Sequence, residues 1–329
     1  MSRFTAYGLK DMLDLGIVIL NYNTRDLLRA CLESVLANEG SFSREICVVD
    51  NASSDGSADR VAAAFPQVRL VRSPVNGGYS YGNNLGLRAL GFADPSRGDT
   101  PVAGELTGRP AYAMLLNPDT VVPPHALAGL LAFMKAHPEA GVVGPKLLLM
   151  DGSLDLACRR SFPSPEVSLW RMIGFSKLFP RSPRFGRYNM TFLDPDQTAE
   201  VDAVVGACML VRGAAIDRVG LLDEAFFMYG EDLDWAKRIK DAGWKVYYYP
   251  EVVVHHVKRA ASRHSPRAQI EFNRAMRIFY DKHYVHQTPW WLHGLVMLGI
   301  GLRERIERTR QALRRRQDGT PAGSRGKSA

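Results

Sequence analysis

The chain has 329 residues, 46% hydrophobic and 23% charged, which is ordinary globular composition and enough for one large domain or two small ones. A disulfide mini-protein, a collagen and a wholly disordered chain are excluded. Net charge is +8, but residues 303–329 carry nine Lys or Arg against three Asp or Glu, so +6 of it sits in the tail and the body is nearly neutral. That asymmetry argues against a broad nucleic-acid-binding face and for a basic tail that meets an anionic surface.

No uncharged apolar run reaches the 18 residues a membrane span needs, and the start, Met1-Ser2-Arg3-Phe4-Thr5, has no secretion signal pattern. A cytoplasmic protein is expected. The four cysteines, Cys31, Cys47, Cys158 and Cys208, lie far apart in apolar runs and read as reduced core residues.

In chain order, Leu15 to Leu20 is a short buried strand, and Leu27, Leu28, Cys31, Leu32, Val35 and Leu36 mark one face of a helix, with Asn23 or Thr24 as N-cap. Strands follow at Ile46 to Val49, Val68 to Val71 and Tyr112 to Leu116, with helical patterns at Ser57 to Phe65 and Gly82 to Leu90 between them. This alternation implies right-handed βαβ units, an α/β fold and a mostly parallel sheet. Ligands of such sheets sit outside the carboxyl ends of the strands. The residues there are Asn21-Tyr22-Asn23, the run from Asp50 through Asn51, Ser53, Asp55 and Gly56 to Ser57, Asn76-Gly77-Gly78-Tyr79, and Asn117-Pro118-Asp119.

The second half changes character. Lys146 to Arg159, with Asp151-Gly152 at its centre, predicts a hairpin. Residues 160–200, rich in Pro, Arg and aromatics without periodicity, predict a long functional loop or lid. A strand is expected from Val201 to Val211, then a helix from Glu231 to Ala242 stopped by Gly243, then a strand ending in Tyr247-Tyr248-Tyr249.

Chemistry concentrates in four places. Asp50 at a strand end can accept the ring N–H of a pyrimidine base, while Asp55-Gly56 shapes the turn and Ser57 caps the next helix; turn chemistry alone would use the same residues. Asp119, held at the rim by Pro118, offers a carboxylate to a hard divalent cation, or else caps the helix beginning near Pro124. Glu231, Asp232 and Asp234 open a helix, where the dipole favours acids anyway, but three acids after Phe226-Phe227-Met228-Tyr229-Gly230 exceed what a dipole asks for, and a carboxylate against aromatics gains the basicity of a general base. Of His255 and His256, one faces inward by alternation; a neutral imidazole there, assigned to His255, is a candidate metal ligand or diphosphate donor.

These motifs, with Gly206-Ala207 and Gly230-Glu231-Asp232, resemble in order and spacing the inverting glycosyltransferases of family 2 over about residues 14–260, and within them the rhamnosyltransferase-like branch. The resemblance implies the GT-A fold, a Rossmann-like mixed sheet flanked by helices. It also implies a nucleotide-sugar donor bearing dTDP or UDP, and a saccharide or polyprenyl-linked saccharide acceptor in bacterial surface polysaccharide synthesis. Asp50, with the Asn21-Tyr22 segment, would hold the base, and Asp119 would hold Mg²⁺ or Mn²⁺ on the diphosphate. Asp232 would remove the acceptor proton and Glu231 would help place the acceptor. Asn117 stands where many relatives carry a second acid, which weakens the metal motif.

The implied organisation is a donor half over about 14–145, an acceptor half over about 146–260, a C-terminal helical extension over 261–316 and a disordered tail over 317–329. Pro289-Trp290-Trp291 followed by a basic helix suits an in-plane anchor on the inner face of the cytoplasmic membrane. Two other classes use similar parts. A sugar-phosphate nucleotidyltransferase would need a Gly-rich basic loop where Asn21-Tyr22-Asn23-Thr24 stands; a non-catalytic scaffold would have no reason to keep Asp50, Asp119 and Asp232.

Overall fold

Nine strands and the helices around them build the described part of the chain, a computed structural model that covers residues 13–94, 98, 108–258, 266–301 and 305. It divides into two compact units, one ending at Arg259 and the other beginning at Ala260.

In the first unit the leading strand β1 (Leu15–Asn21) is an unbroken apolar run because both its faces are covered. It pairs in parallel with β2 (Arg44–Asp50) and β4 (Tyr112–Leu116), and β2 pairs in parallel with β3 (Arg69–Arg72). The connecting helices are α1 (Arg25–Leu36), α2 (Ser57–Ala64) and α3 (Gly78–Ala89). Leu28, Cys31, Leu32 and Val35 form the buried stripe of α1. Helix α3 lies close to the sheet because Gly86 has no side chain: a Cβ there would stand 2.4 Å from Val18.

Beyond β4 the sheet changes direction. After the two-residue β5 (Thr120–Val121), α4 (Ala126–Ala136) and β6 (Ala140–Leu149), the strand β8 (Cys208–Arg212) inserts antiparallel between β4 and β6. Strand β9 (Lys245–His256) runs parallel to β6, and β5 and the short β7 (Ala199–Val201) pair antiparallel with β9. The order is β3-β2-β1-β4-β8-β6-β9-β5, with β7 also on β9. Helices α7 (Gly213–Val219) and α8 (Glu231–Asp241) complete this half.

Three predicted elements take other forms. The expected hairpin has its turn, where Ser153 N–H donates to Asp151, but the return is a single bridge, Leu148 to Leu154; Asp155 then caps a 3₁₀ turn at Leu156–Cys158 and draws the chain inward. The loop over 160–200 contains α5 (Pro165–Met172), capped by Ser164 with Pro165 in its first turn, and the one-turn α6 (Phe175–Leu178). The strand expected from Val201 to Val211 is two strands, broken at 202–207, where backbone groups turn to other partners. Ser57 does not cap α2: Gly56 occupies that position with φ 76°, and the Ser57 hydroxyl turns to Asp50. All four cysteines are buried and free.

The second unit holds α9 (Pro266–His283), which buries Ala275, Phe279 and Tyr280, and a helical stretch over 290–301 whose Trp290, Trp291, Leu295 and Leu298 are exposed. No helix among the described residues is long and apolar enough to cross a membrane. The expected disordered tail over 317–329 lies outside the described residues.

Candidate active site

The parallel half of the sheet delivers its polar residues to one edge. Asn21 and Asp50 are register partners at the ends of β1 and β2, and Asn21 Nδ2 lies 2.9 Å from Asp50 Oδ1 and 2.7 Å from Ser57 Oγ. Asp50 also accepts the Ser53 N–H, and Asp55 accepts the N–H groups of Arg25 and Ser57. Asn21 is wholly buried, so its part is to hold Asp50 in place rather than to meet a ligand. Tyr22 is half exposed at the same edge, and Asn23, in the left-handed region with φ 53°, accepts from Ser54 N–H.

Asn51 ties this cluster to the next loop. Its amide donates to Asn76 Oδ1 and to the Gly78 carbonyl, and its own Oδ1 accepts the Gly77 N–H. Gly78, with φ 90°, cannot be replaced without strain: a Cβ would stand 2.3 Å from the Phe227 carbonyl, which accepts the Tyr79 N–H at 2.6 Å. The Asn76-Gly77-Gly78 turn is therefore docked on the segment that leads into α8.

Helix α8 begins with the two acids singled out from the sequence, and both are buried, Glu231 6% and Asp232 5% exposed. Their surroundings differ sharply. Asp232 Oδ2 accepts from the Arg160 guanidinium at 2.6 Å and from the Gly206 N–H at 3.0 Å. Glu231 Oε2 has no hydrogen-bond partner among the described residues. Burial, and then the charge of Asp232, push the Glu231 carboxyl up to about 8. Arg160 is also buried; burial opposes its charge, but Asp232 more than offsets that and raises its basicity.

Tyr79 shows that the separate motifs converge. Its hydroxyl donates to the Gly206 carbonyl at 2.8 Å, and burial together with the charges of Glu231, Asp232 and Asp119 pushes the phenol well above its ordinary value. The adjoining Ala207 carbonyl accepts the Asn117 N–H at 2.9 Å, across the seam between β8 and β4. Asp119 follows at the rim, its carboxylate one-fifth exposed.

The histidine facing Asp119 is His256, not His255: His256 Nε2 lies 3.3 Å from Asp119 Oδ1 and His256 Nδ1 lies 3.0 Å from Asp155 Oδ2. The alternation of β9 buries Val252, Val254 and His256 and turns His255 the other way. Burial would lower the basicity of His256, but the hydrogen bonds of Asp119 and Asp155 outweigh it and raise it. Asp155 is buried too; the hydrogen bonds of His256 and Lys258 overcome the burial effect and hold its carboxyl well below the usual range.

Sequence reading missed Arg160 and Asp155, single charges in a segment with no pattern, and took the wrong one of two adjacent histidines. Among the described residues no group of three or more His, Cys, Asp or Glu is disposed to hold a metal ion. Asp119 offers one carboxylate at the rim, which is the kind of ligand a hard cation shared with a diphosphate takes from a protein.

The family model described as "Glycosyltransferase like family 2" matches residues 14–275. An N-acetylglucosaminyl-diphospho-decaprenol L-rhamnosyltransferase of Mycobacterium tuberculosis is 29% identical over 280 residues, covering 84% of this chain and 86% of the relative. Rhamnosyltransferase WbbL of Escherichia coli is 25% identical over 71% of this chain and 80% of its own, and the low-salt glycan biosynthesis hexosyltransferase Agl10 of Haloferax volcanii 26% identical over 69% and 62%. Among solved structures, GalNAc-T7 with UDP, GalNAc and Mn²⁺ superposes with a TM-score of 0.52 and 14% identity over 76% of this chain and 45% of its own. S. aureus TarS superposes with 0.51 and 14% over 81% and 64%. At that identity the likeness is one of fold.

Proposed function

This chain belongs to glycosyltransferase-like family 2, and from that premise we propose that it moves a hexose, L-rhamnose from dTDP-L-rhamnose, onto a polyprenyl-diphosphate-linked saccharide with inversion at the anomeric carbon. The family makes it a glycosyltransferase; the sugar and acceptor follow the mycobacterial and E. coli relatives, which are named for rhamnosyl transfer. The observation that carries the reading is the buried pair Glu231 and Asp232, the second held by Arg160 and the first with its Oε2 unpartnered among the described residues, beside Tyr79 at the carboxyl edge of the sheet.

The chemical task is to make an acceptor hydroxyl nucleophilic while a nucleoside diphosphate departs from the opposite face of the sugar. Asp232 is the proton acceptor in this reading, held by Arg160 and the Gly206 N–H so that it does not reorient during reaction. Glu231, whose raised basicity keeps it largely protonated near neutrality, donates a hydrogen bond to a substrate hydroxyl and fixes its position. Two neighbouring acids with opposed environments divide the two roles between them.

On the donor side, Asp50 receives the pyrimidine and Tyr22 covers its ring. Asn51 and the Asn76-Gly77-Gly78 turn shape the ribose and diphosphate path, next to Asn117 and the Gly206-Ala207 backbone. Asp119, whose carboxylate is one-fifth exposed at the rim with His256 3.3 Å away to orient it, would hold Mg²⁺ or Mn²⁺; when bound, the cation supplies charge that stabilises the departing diphosphate. The protein works in this reading at the inner membrane surface, where polyprenyl-linked acceptors are presented.

Asp232→Asn is the test. It should leave nucleotide affinity intact and lower turnover on the order of 10²-fold or more. Near-normal turnover of the folded variant would remove Asp232 from the role.

A further inference from the structure

The segment between Arg160 and Ala203 carries an apolar surface that the transfer reaction does not use. Trp170, Phe175, Phe179 and Phe185 pack on one another, with Trp170 stacked on Phe175 at 5.7 Å and Phe185 edge-on to both at 5.0 and 5.3 Å. The aromatic rings thus form a small local core in which the short helices α5 and α6 are braced. The cluster is open on its outer side: Met172 is 57% exposed, Ile173 48%, Phe175 36%, Leu178 67% and Phe179 46%, five large apolar side chains within eight residues. Scattered single exposures need no explanation, but a contiguous group of this kind marks a surface with an occupant.

Charge identifies the occupant. Residues 164–193 contain Arg171, Lys177, Arg181, Arg184 and Arg187 against one acid, Glu166; the other acids before Ala203 are Asp194, Asp196, Glu200 and Asp202, and of these Asp196, Glu200 and Asp202 are engaged by Lys146 and Lys240 of the main fold. Glu166 is itself engaged by Arg184 at 2.9 Å and by the Trp170 N–H at 3.1 Å. Exposed aliphatic and aromatic tips beside an excess of cations match a bilayer interface, where the tips enter the acyl boundary and the cations meet anionic headgroups.

We propose that the 164–193 segment is a membrane-seating knob that docks this glycosyltransferase on an anionic phospholipid surface. It is a different stretch of sequence from the one with Trp290 and Trp291, and it deepens the reading of a polyprenyl-linked acceptor, on which its purpose rests. Its base is fixed to the site: the backbones of Arg160 and Ala203 bond to each other, Arg160 N–H to the Ala203 carbonyl at 2.9 Å and the reverse at 3.0 Å, while the Arg160 side chain holds Asp232. Seating the knob tethers the site to the lipid surface from which a lipid-linked sugar projects.

Flotation of the full chain with phosphatidylcholine vesicles, with and without phosphatidylglycerol, tests this. Wild type should float with the anionic vesicles only. A variant carrying Met172→Ser, Ile173→Ser and Leu178→Ser, and a second carrying Lys177→Glu and Arg181→Glu, should each lower the bound fraction about tenfold with unchanged thermal melting. The second variant alters only exposed side chains, so it decides the matter if the first misfolds. Wild type that stays in the soluble fraction, as for a surface meant for a protein partner, overturns the proposal. So does flotation of the second variant equal to wild type, which would assign attachment to the C-terminal stretch. Transfer of rhamnose to N-acetylglucosaminyl diphosphate on a short water-soluble alkyl chain should persist in both variants. Wild type that floats as expected yet transfers no sugar would uphold the knob and overturn the catalytic reading instead.

Discussion

Arg160 Nη2 lies 2.6 Å from Asp232 Oδ2, and both side chains are over nine-tenths buried, 9% and 7% exposed. The same guanidinium donates to the Val204 carbonyl at 2.9 Å, so it spans the gap between the chain entering α8 and the break between β7 and β8. Removing one member of a buried pair strands the other, which costs more than the pair contributes. Arg160→Ala should therefore destabilise by about 3 kcal/mol in chemical denaturation and lower turnover as Asp232 loses its orientation. Arg160→Lys should recover only part of both, because the shorter, more flexible ammonium side chain does not hold the fixed planar geometry of the guanidinium whose Nη2 serves both acceptors. Stability equal to wild type in the alanine variant would show that the pair is absent in solution.

Glu231 gives stability a definite pH dependence. Its folded basicity, pushed up to about 8, exceeds its ordinary value of 4.5, so the folded state holds its proton more tightly than the unfolded chain does. The resulting stabilisation is complete below about 4.5, declines as the unfolded chain ionises, and is gone once pH passes about 8. Glu231→Gln copies the protonated form and should flatten this slope, so that wild type and variant diverge in denaturation midpoint as pH rises from about 5 to about 8.5. Parallel curves would contradict it. Because Gln still donates a hydrogen bond, its turnover loss should be smaller than that of Asp232→Asn.

Asp155 acts with the opposite sign. Its carboxyl is held well below 3.8 by His256 and Lys258 against the effect of burial, so it contributes stability at pH values above the unfolded range and loses it as pH falls. Asp155→Asn should cost about 3 kcal/mol at neutral pH. It should also move the titration of His256, followed by NMR, downward, since one of the two carboxylates that raise it is gone. An unmoved His256 titration would mean that the two side chains are not in contact.

Gly78→Ala probes the docking of the donor loop on the segment before α8. With φ 90° and the Phe227 carbonyl 2.3 Å from where the Cβ would stand, the methyl group forces Tyr79 away from its bond to that carbonyl. A loss of about 2 kcal/mol in stability and a raised KM for the donor are expected. Unchanged values would place the loop elsewhere in solution.

Much of this was legible in residues. Short continuous apolar runs at Leu15 and Ile46, alternating with helical periods, read as strands covered on both faces, and the polar residues after them then fall at the carboxyl edge by geometry. Glu231 and Asp232 were visible as acids beyond what a helix dipole asks for. Arg160 and Asp155 were not: each is one charge in a stretch without period, and its burial depends on partners 72 and 101 residues away. The choice between His255 and His256 was within reach. Glu251 is exposed, and counting by twos from it turns Val253 and His255 outward and leaves Val252, Val254 and His256 facing in.

The mutual backbone bonds of Arg160 and Ala203 close residues 161–202 into a cassette with a clasped neck. Between that clasp and β7, which is tied into the sheet on β9, helices α5 and α6 and their turns can change in sequence while the acid at the start of α8 keeps its guanidinium partner. Diversification of what the enzyme approaches is thereby uncoupled from the geometry of the chemistry, and swapping cassettes between relatives at these two positions becomes a rational way to redirect it.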